Sequence, residues 1–278
     1  MTIANRNAFF KVGILVSLGL ILFAGIGCYY SLARHSSLIQ QAVRRPPGLL
    51  EQLIIHRFFS PVSYIPLFTL SAAALYADVS LILIYYYFEK TQAPEILFVA
   101  FFAFSFSFEA IRLMVPLQAA LEAPGLYLIL AFRTLLFGRY FGLFSLFAAG
   151  VCAAGLEMQK QGTIIIVITV AALVIALGVP REENSWDTAL CLVNGYQSLL
   201  NLVSIGITLI TIASFFVAAY ARGSAEYRAA GAGALLACIG RGFLLNADTW
   251  LAALPGLAAL SFGTWLIGKE LRRIYLWL

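Results

Sequence analysis

Six ionisable side chains stand inside otherwise apolar stretches of this chain: Asp78, Glu109, Arg112, Arg133, Arg139 and Arg241. A charge in hydrocarbon is retained only with a partner or a task. Four guanidiniums against Glu109, with Asp78 set apart, is the composition of an anion-binding site, because a guanidinium presents paired, planar donors that match a carboxylate or a phosphate. Glu109 and Arg112 lie three residues apart and share a helix face. Pro116 cannot donate to the Arg112 carbonyl, which predicts a bend there. Arg133 and Arg139 are six residues apart, about 120° around an ideal helix. An unbroken helix therefore cannot aim both at one point. Either Gly138 and Gly142 relax the helix, or one of the two arginines snorkels toward the interface.

Beside these charges runs a polar stripe. Asn194, Gln197, Asn201, Ser204, Thr208 and Thr211 recur at spacings of 3, 4, 3, 4 and 3, one face of a helix. Such a face meets protein or water rather than lipid. Its outer end, Asn194, Gln197 and Asn201, is rich in amides and is expected at the depth of the arginines. Asp78 has Ser71 and Tyr85 one heptad either side, and is either a hydrogen-bonded acid or a proton or cation relay.

The elements that position these groups follow from composition. The chain has 278 residues, 62% of them hydrophobic and 11% charged, with a mean hydropathy of +0.92. Soluble domains carry roughly twice that share of charge. The chain is expected to be an all-α, polytopic transmembrane helix bundle forming a single domain over residues 1–278. No stretch within it has room for a soluble catalytic or DNA-binding domain of about 100 residues. Eight apolar segments emerge: Phe9–Leu32, about Pro61 to Phe88, Ile96–Leu121, Gly125–Leu156, Thr163–Pro180, Ala189–Tyr220, Ala229–Leu245 and Trp250–Gly268. Only Asn246–Thr249 separates the last two, and a re-entrant hairpin there would leave seven. Rows of small residues in Ala229–Gly242 predict close helix packing. The first segment is expected to be an uncleaved span, because the apolar run continues past Cys28 through Tyr29 and Tyr30. The loop Ala33–Ser60 is broken by Pro46-Pro47-Gly48. After the break, Leu49, Leu50, Leu53, Ile54 and Phe58 predict a short amphipathic surface helix, a connector or a lid.

Lys and Arg set the orientation. With eight crossings, nine of them (Arg6, Lys11, Lys90, Lys160, Arg222, Arg228, Lys269, Arg272 and Arg273) fall on one side, and five fall on the other. Both termini are therefore expected to be cytoplasmic, in a bacterial inner (plasma) membrane. The net charge of +5 belongs to this asymmetry, and no nucleic-acid partner is expected. Cys28, Cys152, Cys191 and Cys238 form no C-x-x-C pair, and the two histidines, His35 and His56, lie outside the apolar segments. Every lysine sits at a segment end, and no dinucleotide, P-loop or metalloprotease motif occurs. No cofactor and no metal are expected.

Together, Glu109, Arg112, Arg133, Arg139, Asn194, Gln197, Asn201 and Arg241 are expected to line an outward-facing cavity between spans three, four, six and seven, taking a small anion or a lipid headgroup. Three functions fit: a sensory or ligand-binding membrane module, the membrane subunit of an anion permease, and an intramembrane lipid-modifying enzyme with Glu109 as base. In outline the architecture resembles the many-span membrane modules of bacterial sensor proteins, with no matching motif, so that resemblance assigns no residue. Polar groups thin out toward the inner side, which favours binding over transport. The basic tail from Lys269 is expected to meet a membrane or cytoplasmic protein partner. The topology is checked by cysteine labelling of the Ala33–Ser60 loop in intact cells. Labelling from outside is expected, and protection would invert the assignment.

Overall fold

A computed structural model describes residues 3–34, 65–91, 93–121, 125–155, 161–186 and 190–276. The surface helix expected after Pro46 lies outside these residues. The elements are α1 (Ile3–Arg34), α2 (Ile65–Phe88), α3 (Pro94–Ser105), a 3-10 segment (Phe106–Leu113), α4 (Met114–Leu121), α5 (Gly125–Ala153), α6 (Gln161–Gly178), β1 (Arg181–Trp186), β2 (Leu192–Asn194), α7 (Gln197–Arg222), α8 (Ala225–Leu245) and α9 (Trp250–Leu276). The α3, 3-10 and α4 pieces form one continuous span. Among the described residues, eight helices are long and apolar enough to cross a membrane. The protein is an all-helical transmembrane-type bundle, and α8 and α9 each have the length of a span rather than of half a hairpin.

Burial sorts the bundle into a centre and a rim. The third and fourth spans are 78% and 72% buried over their most apolar windows, against 17% for α1 and α6. The third span and α5 pack against each other at the centre. Helices α6 and α7 lie against α5, α1 against α2, and α9 against α8. The centre is strongly aromatic. Phe98, Phe102 and Phe106 are fully buried, and edge-on contacts link Phe102 to Phe106 and Phe106 to Tyr76.

The sixth segment departs from expectation. Its helix starts at Gln197, not Ala189, because β1 and β2 pair antiparallel ahead of it. The turn between β2 and α7 is made by Gly195 and by Tyr196, which has a φ of 58°. The Gly195 N–H donates to the Pro180 carbonyl at 3.1 Å, and a Cβ at Gly195 would lie 2.7 Å from that same oxygen. Glycine is required by this approach. Asn194 is therefore a strand residue, and the helical stripe begins at Gln197.

Two devices fix the helix ends. Ser224 caps α8, accepting from the Tyr227 N–H at 3.3 Å. Arg6 of α1 reaches across to the C-terminal end of α2, donating to Phe88 O at 2.8 Å, to Glu89 O at 3.0 Å and to Thr91 O. A cation placed there satisfies carbonyls left over by the helix and complements its dipole.

The α8–α9 hairpin confirms the expected close packing, backbone on backbone. A Cβ on Gly240 would collide with Leu260 N and Gly256 O, and one on Gly263 with Ala237 N and Gly233 O. Gly242, two residues on, has nothing within 4 Å of such a Cβ. Gly240→Ala is therefore expected to lower stability by roughly 1–3 kcal/mol through overpacking. Gly242→Ala is expected to be neutral or to stabilise by up to about 1 kcal/mol. Thermal unfolding of the detergent-solubilised pair checks the difference, and equal melting temperatures would refute the packing argument.

Candidate functional site

The charged centre is built by three elements: the 3-10 segment, α5 and α8. Pro116 removes the donor that the Arg112 carbonyl would use in an α-helix. The preceding backbone tightens instead, and the Met114 N–H is directed at the carbonyls of Ile111 and Arg112. In 3-10 geometry residues three apart eclipse one another, so Glu109 and Arg112 stand in one row. From the other side, α5 comes unusually near. A Cβ on Gly138 would press into Phe108, and one on Gly142 into Ser105. These two glycines let Arg139, between them, reach Glu109 across the helix interface.

The resulting contacts are short. Arg139 Nε donates to Glu109 Oε1 at 2.8 Å and Arg139 Nη2 to Oε2 at 2.9 Å, a bidentate pair. Arg112 Nη1 stands 3.4 Å from the same Oε2. Arg241 Nη2 on α8 donates to the Arg139 carbonyl at 2.9 Å. Arg139 Nη2 is also 3.3 Å from Cys191 Sγ, just ahead of β2. Glu109 and Arg112 are buried at 1% and 2% exposure, while Arg139 and Arg241 are half-buried. Phe104, Phe108, Phe137 and Phe141 form a chain of ring contacts along the same helix interface, which makes the surroundings of the pair apolar.

Of the expected site, the structure gathers Glu109, Arg112, Arg139 and Arg241. It leaves Arg133 exposed on α5, away from the cluster, as the 120° offset from Arg139 requires. Gln197 and Asn201 are exposed in the first turns of α7. Asn194 lies in β2, and its side chain is outside the described ones. A cleft of about 20 Å³, room for one water, is lined by Ile111, Arg112, Val115, Leu128, Phe132 and Leu190 among others. Of the expected site residues, Arg112 borders this cleft.

The inner half of the polar stripe is half-buried to buried but binds itself. Thr208 Oγ1 donates to Ser204 O at 2.8 Å, Thr211 Oγ1 to Ile207 O at 2.7 Å and Ser214 Oγ to Thr211 O at 2.7 Å. Serine and threonine can satisfy themselves on the preceding turn. Tyr140 of α5 makes the cross-link instead, its Oη donating to Leu200 O at 3.0 Å.

Asp78 is buried, and its partner comes from an unexpected helix. Ser17 Oγ of α1 donates to Asp78 Oδ1 at 2.7 Å. Ser71 instead meets Cys28 Sγ at 3.6 Å, and Tyr85 Oη donates to Glu89 Oε1 at 3.2 Å. A further buried acid escaped the sequence reading. Glu95, in the first turn of α3, is 1% exposed and accepts from Tyr275 Oη of α9 at 2.7 Å. Its position next to Pro94 marked it as a solvated span end. Tyr275, in the basic tail expected to face a partner, was the available signal. Among the described residues no three His, Cys, Asp or Glu side chains converge to hold a metal ion.

Fold and site together define a polytopic helical membrane protein with a buried guanidinium–carboxylate group at its centre. No protein-family profile and no solved structure matches the chain. It is similar to a protein of Treponema pallidum (strain Nichols) described as an uncharacterized protein, 27% identical over 195 residues. The match covers 63% of this chain and 56% of that relative, so the chain spans little more than half of the relative's length.

Removing one member of a buried pair strands the other, at roughly 3–5 kcal/mol. Glu109→Gln is therefore expected to lower the melting temperature sharply, and Arg133→Gln, at an exposed position, to change stability by under about 0.5 kcal/mol. Replacing Glu109 and Arg139 together by leucine is expected to recover part of the loss. Thermal unfolding of the three variants checks this order.

Proposed function

We propose that this protein is a ligand-binding membrane module of sensory type whose arginine group takes an anion, either a small free anion or a lipid headgroup. One observation carries this reading. Arg139 takes both oxygens of Glu109, while Arg241 donates to the Arg139 carbonyl and, among the described residues, no carboxylate lies within ion-pair distance of it. A half-buried guanidinium that meets a carbonyl rather than a carboxylate, in apolar surroundings, favours an anion. Exposed Arg133, one turn and a half away on α5, adds a further cation that a headgroup phosphate can use.

The competing readings lose support from the same contacts. A permease needs polar groups along its path, and Thr208, Thr211 and Ser214 are turned onto their own helix. An enzyme needs a base beside the arginines, and both Glu109 oxygens are taken by Arg139. If all eight helices cross, both ends lie on one side. The excess of Lys and Arg there makes that side cytoplasmic and turns the arginine group toward the outer half of a bacterial inner membrane. The exposed Arg272 and Arg273 near the end of α9 are then available to a cytoplasmic or membrane protein partner.

Native mass spectrometry of the protein released from nanodiscs tests the reading, with phosphatidylglycerol as one probe and inorganic phosphate as the other. Losing one charge-assisted hydrogen bond removes about 1.5–3 kcal/mol. Arg241→Gln is thus expected to weaken retention of the preferred probe by roughly tenfold or more. Gly242→Ala, one residue on and exposed, is expected to leave it unchanged. Equal retention by wild type and Arg241→Gln would refute the reading.

A further inference from the structure

Helix α2 closes on three tyrosines, Tyr85, Tyr86 and Tyr87, and two of their rings carry a cation from another helix. Lys11 Nζ of α1 stands 5.8 Å from the centre of the Tyr85 ring, and the Arg272 guanidinium of α9 stands 4.7 Å from that of Tyr87. Both lie within the distance of about 6 Å over which a ring face attracts a cation. Residues two apart on a helix point about 200° away from each other. Tyr85 and Tyr87 therefore sit on opposite flanks of α2, one toward α1 and one toward α9, with Tyr86 between them.

Tyr86 stands at the end of an apolar ridge. Leu75, Val79, Ile82, Leu83 and Tyr86 recur at helical spacing and are all exposed. From Leu75 to Tyr86 the ridge rises about 16 Å, close to the hydrocarbon thickness of one leaflet, about 15 Å. An acyl chain laid along the ridge places its headgroup at Tyr86, between the two cations.

The cations are held by rings rather than by acids. Among the described residues no carboxylate lies within ion-pair distance of Lys11 or Arg272. Their N–H donors therefore remain for an anionic oxygen. The exposed acid of this region, Glu89, accepts from the Tyr85 hydroxyl at 3.2 Å, and Arg273 leans on Glu270 at 3.7 Å. Lys269 lies one turn before Arg272 on the same face, 5.0 Å from the centre of the Trp265 ring, and adds a cation to the α9 flank. This end of the bundle, where α1 begins and α9 ends, also exposes Lys90 and Arg228. Its charge complements a negatively charged leaflet, and exposed Tyr86 and Trp265 are the ring types that settle at headgroup level. An acidic protein outside the membrane has no use for an apolar ridge that runs from the cations into the span, whereas a lipid uses both.

We infer that this end of α2 binds an anionic phospholipid, with the phosphate held between Lys11 and Arg272 and one acyl chain lying on the ridge from Tyr86 to Leu75. The site is remote from the arginine group. Glu95, which meets Tyr275 at this end, is 14 residues and roughly 20 Å along the third span from Glu109. The inference is independent of what the arginine group takes.

Fluorescence quenching tests it. A fluorophore is attached through Val79→Cys, about 10 Å deeper than Tyr86 on the same ridge, in a chain whose native cysteines are alanine. The protein is placed in phosphatidylcholine nanodiscs containing a small fraction of either phosphatidylglycerol or phosphatidylcholine spin-labelled in mid-chain. The labelled phosphatidylglycerol is expected to quench severalfold more at equal mole fraction. One cation beside an anionic headgroup is worth about fivefold in occupancy. Lys11→Gln and Arg272→Gln are each expected to lower the preference by roughly that factor, and the double variant to abolish it. Tyr87→Leu, which takes the ring from under Arg272, is expected to lower it less. Arg241→Gln is expected to leave it unchanged, which separates this site from the arginine group. If the cysteine-free chain does not fold, the site is read by mass spectrometry of phosphatidylglycerol retention in chains with native cysteines. There the Lys11→Gln/Arg272→Gln pair is expected to lower retention further in an Arg241→Gln background, and unchanged retention overturns the site. Equal quenching by the two lipids, or a preference that survives loss of both cations, also overturns the site and leaves these cations to a protein partner. A preference lost in Arg241→Gln overturns its assignment to α2.

Discussion

A carboxylate at the centre of an apolar bundle has to be met by cations already in place, and much of this protein's core can be derived from that need. Glu109 is held by both donors of the Arg139 fork, across the interface between the third span and α5. To bring that fork within reach, the two helices must nearly touch, and glycine at 138 and 142 is what permits it. To keep Glu109 on the correct row, the backbone around it is wound more tightly than an α-helix. To hold α5 against α7, Tyr140 spends its hydroxyl on a backbone carbonyl of the neighbour. The central position of these two spans follows from the charge they have to keep dry.

Much of the bundle was legible from the residues alone. A run of about 20 apolar residues has few alternatives, so the spans stand where composition places them, within several residues at their ends. The close packing of α8 on α9 was legible for a related reason, since Gly233 and Gly240 recur on one face and a bare face invites a backbone. That Glu109, Arg112, Arg139 and Arg241 belong together follows from the cost of isolating any of them. The geometry even required that Arg133 and Arg139 part company, although only the proximity of Gly138 and Gly142 to the third span decides which one turns inward.

What was not legible involves contacts that spacing does not encode. Asn194 keeps perfect register with the stripe on α7, yet the register runs on through a turn into β2, and a count of intervals does not detect a change of secondary structure. Gly195 was the local sign. Glu95 sits where an acid is ordinarily solvated, and it is buried because α9 folds over it from 180 residues away. Asp78 finds Ser17 rather than its neighbours on α2, a partner 61 residues distant. Each miss is a tertiary contact overriding a sound local expectation.

Helix α1 illustrates how such distant pairings order events in time. Its surface is mostly turned outward, and its polar attachments to α2 and the turn after it include the Arg6 guanidinium on the last carbonyls of that helix and the Ser17 hydroxyl on Asp78. Both receptors belong to a segment synthesised later. During biogenesis α1 therefore precedes the carbonyls that its guanidinium will meet, with Ser17 resting on the Ile14 carbonyl of its own helix, and α2 on arrival has its open end closed by its predecessor. Helix α1 thus acts as a template for α2, and the pairing of these two helices has a direction along the chain.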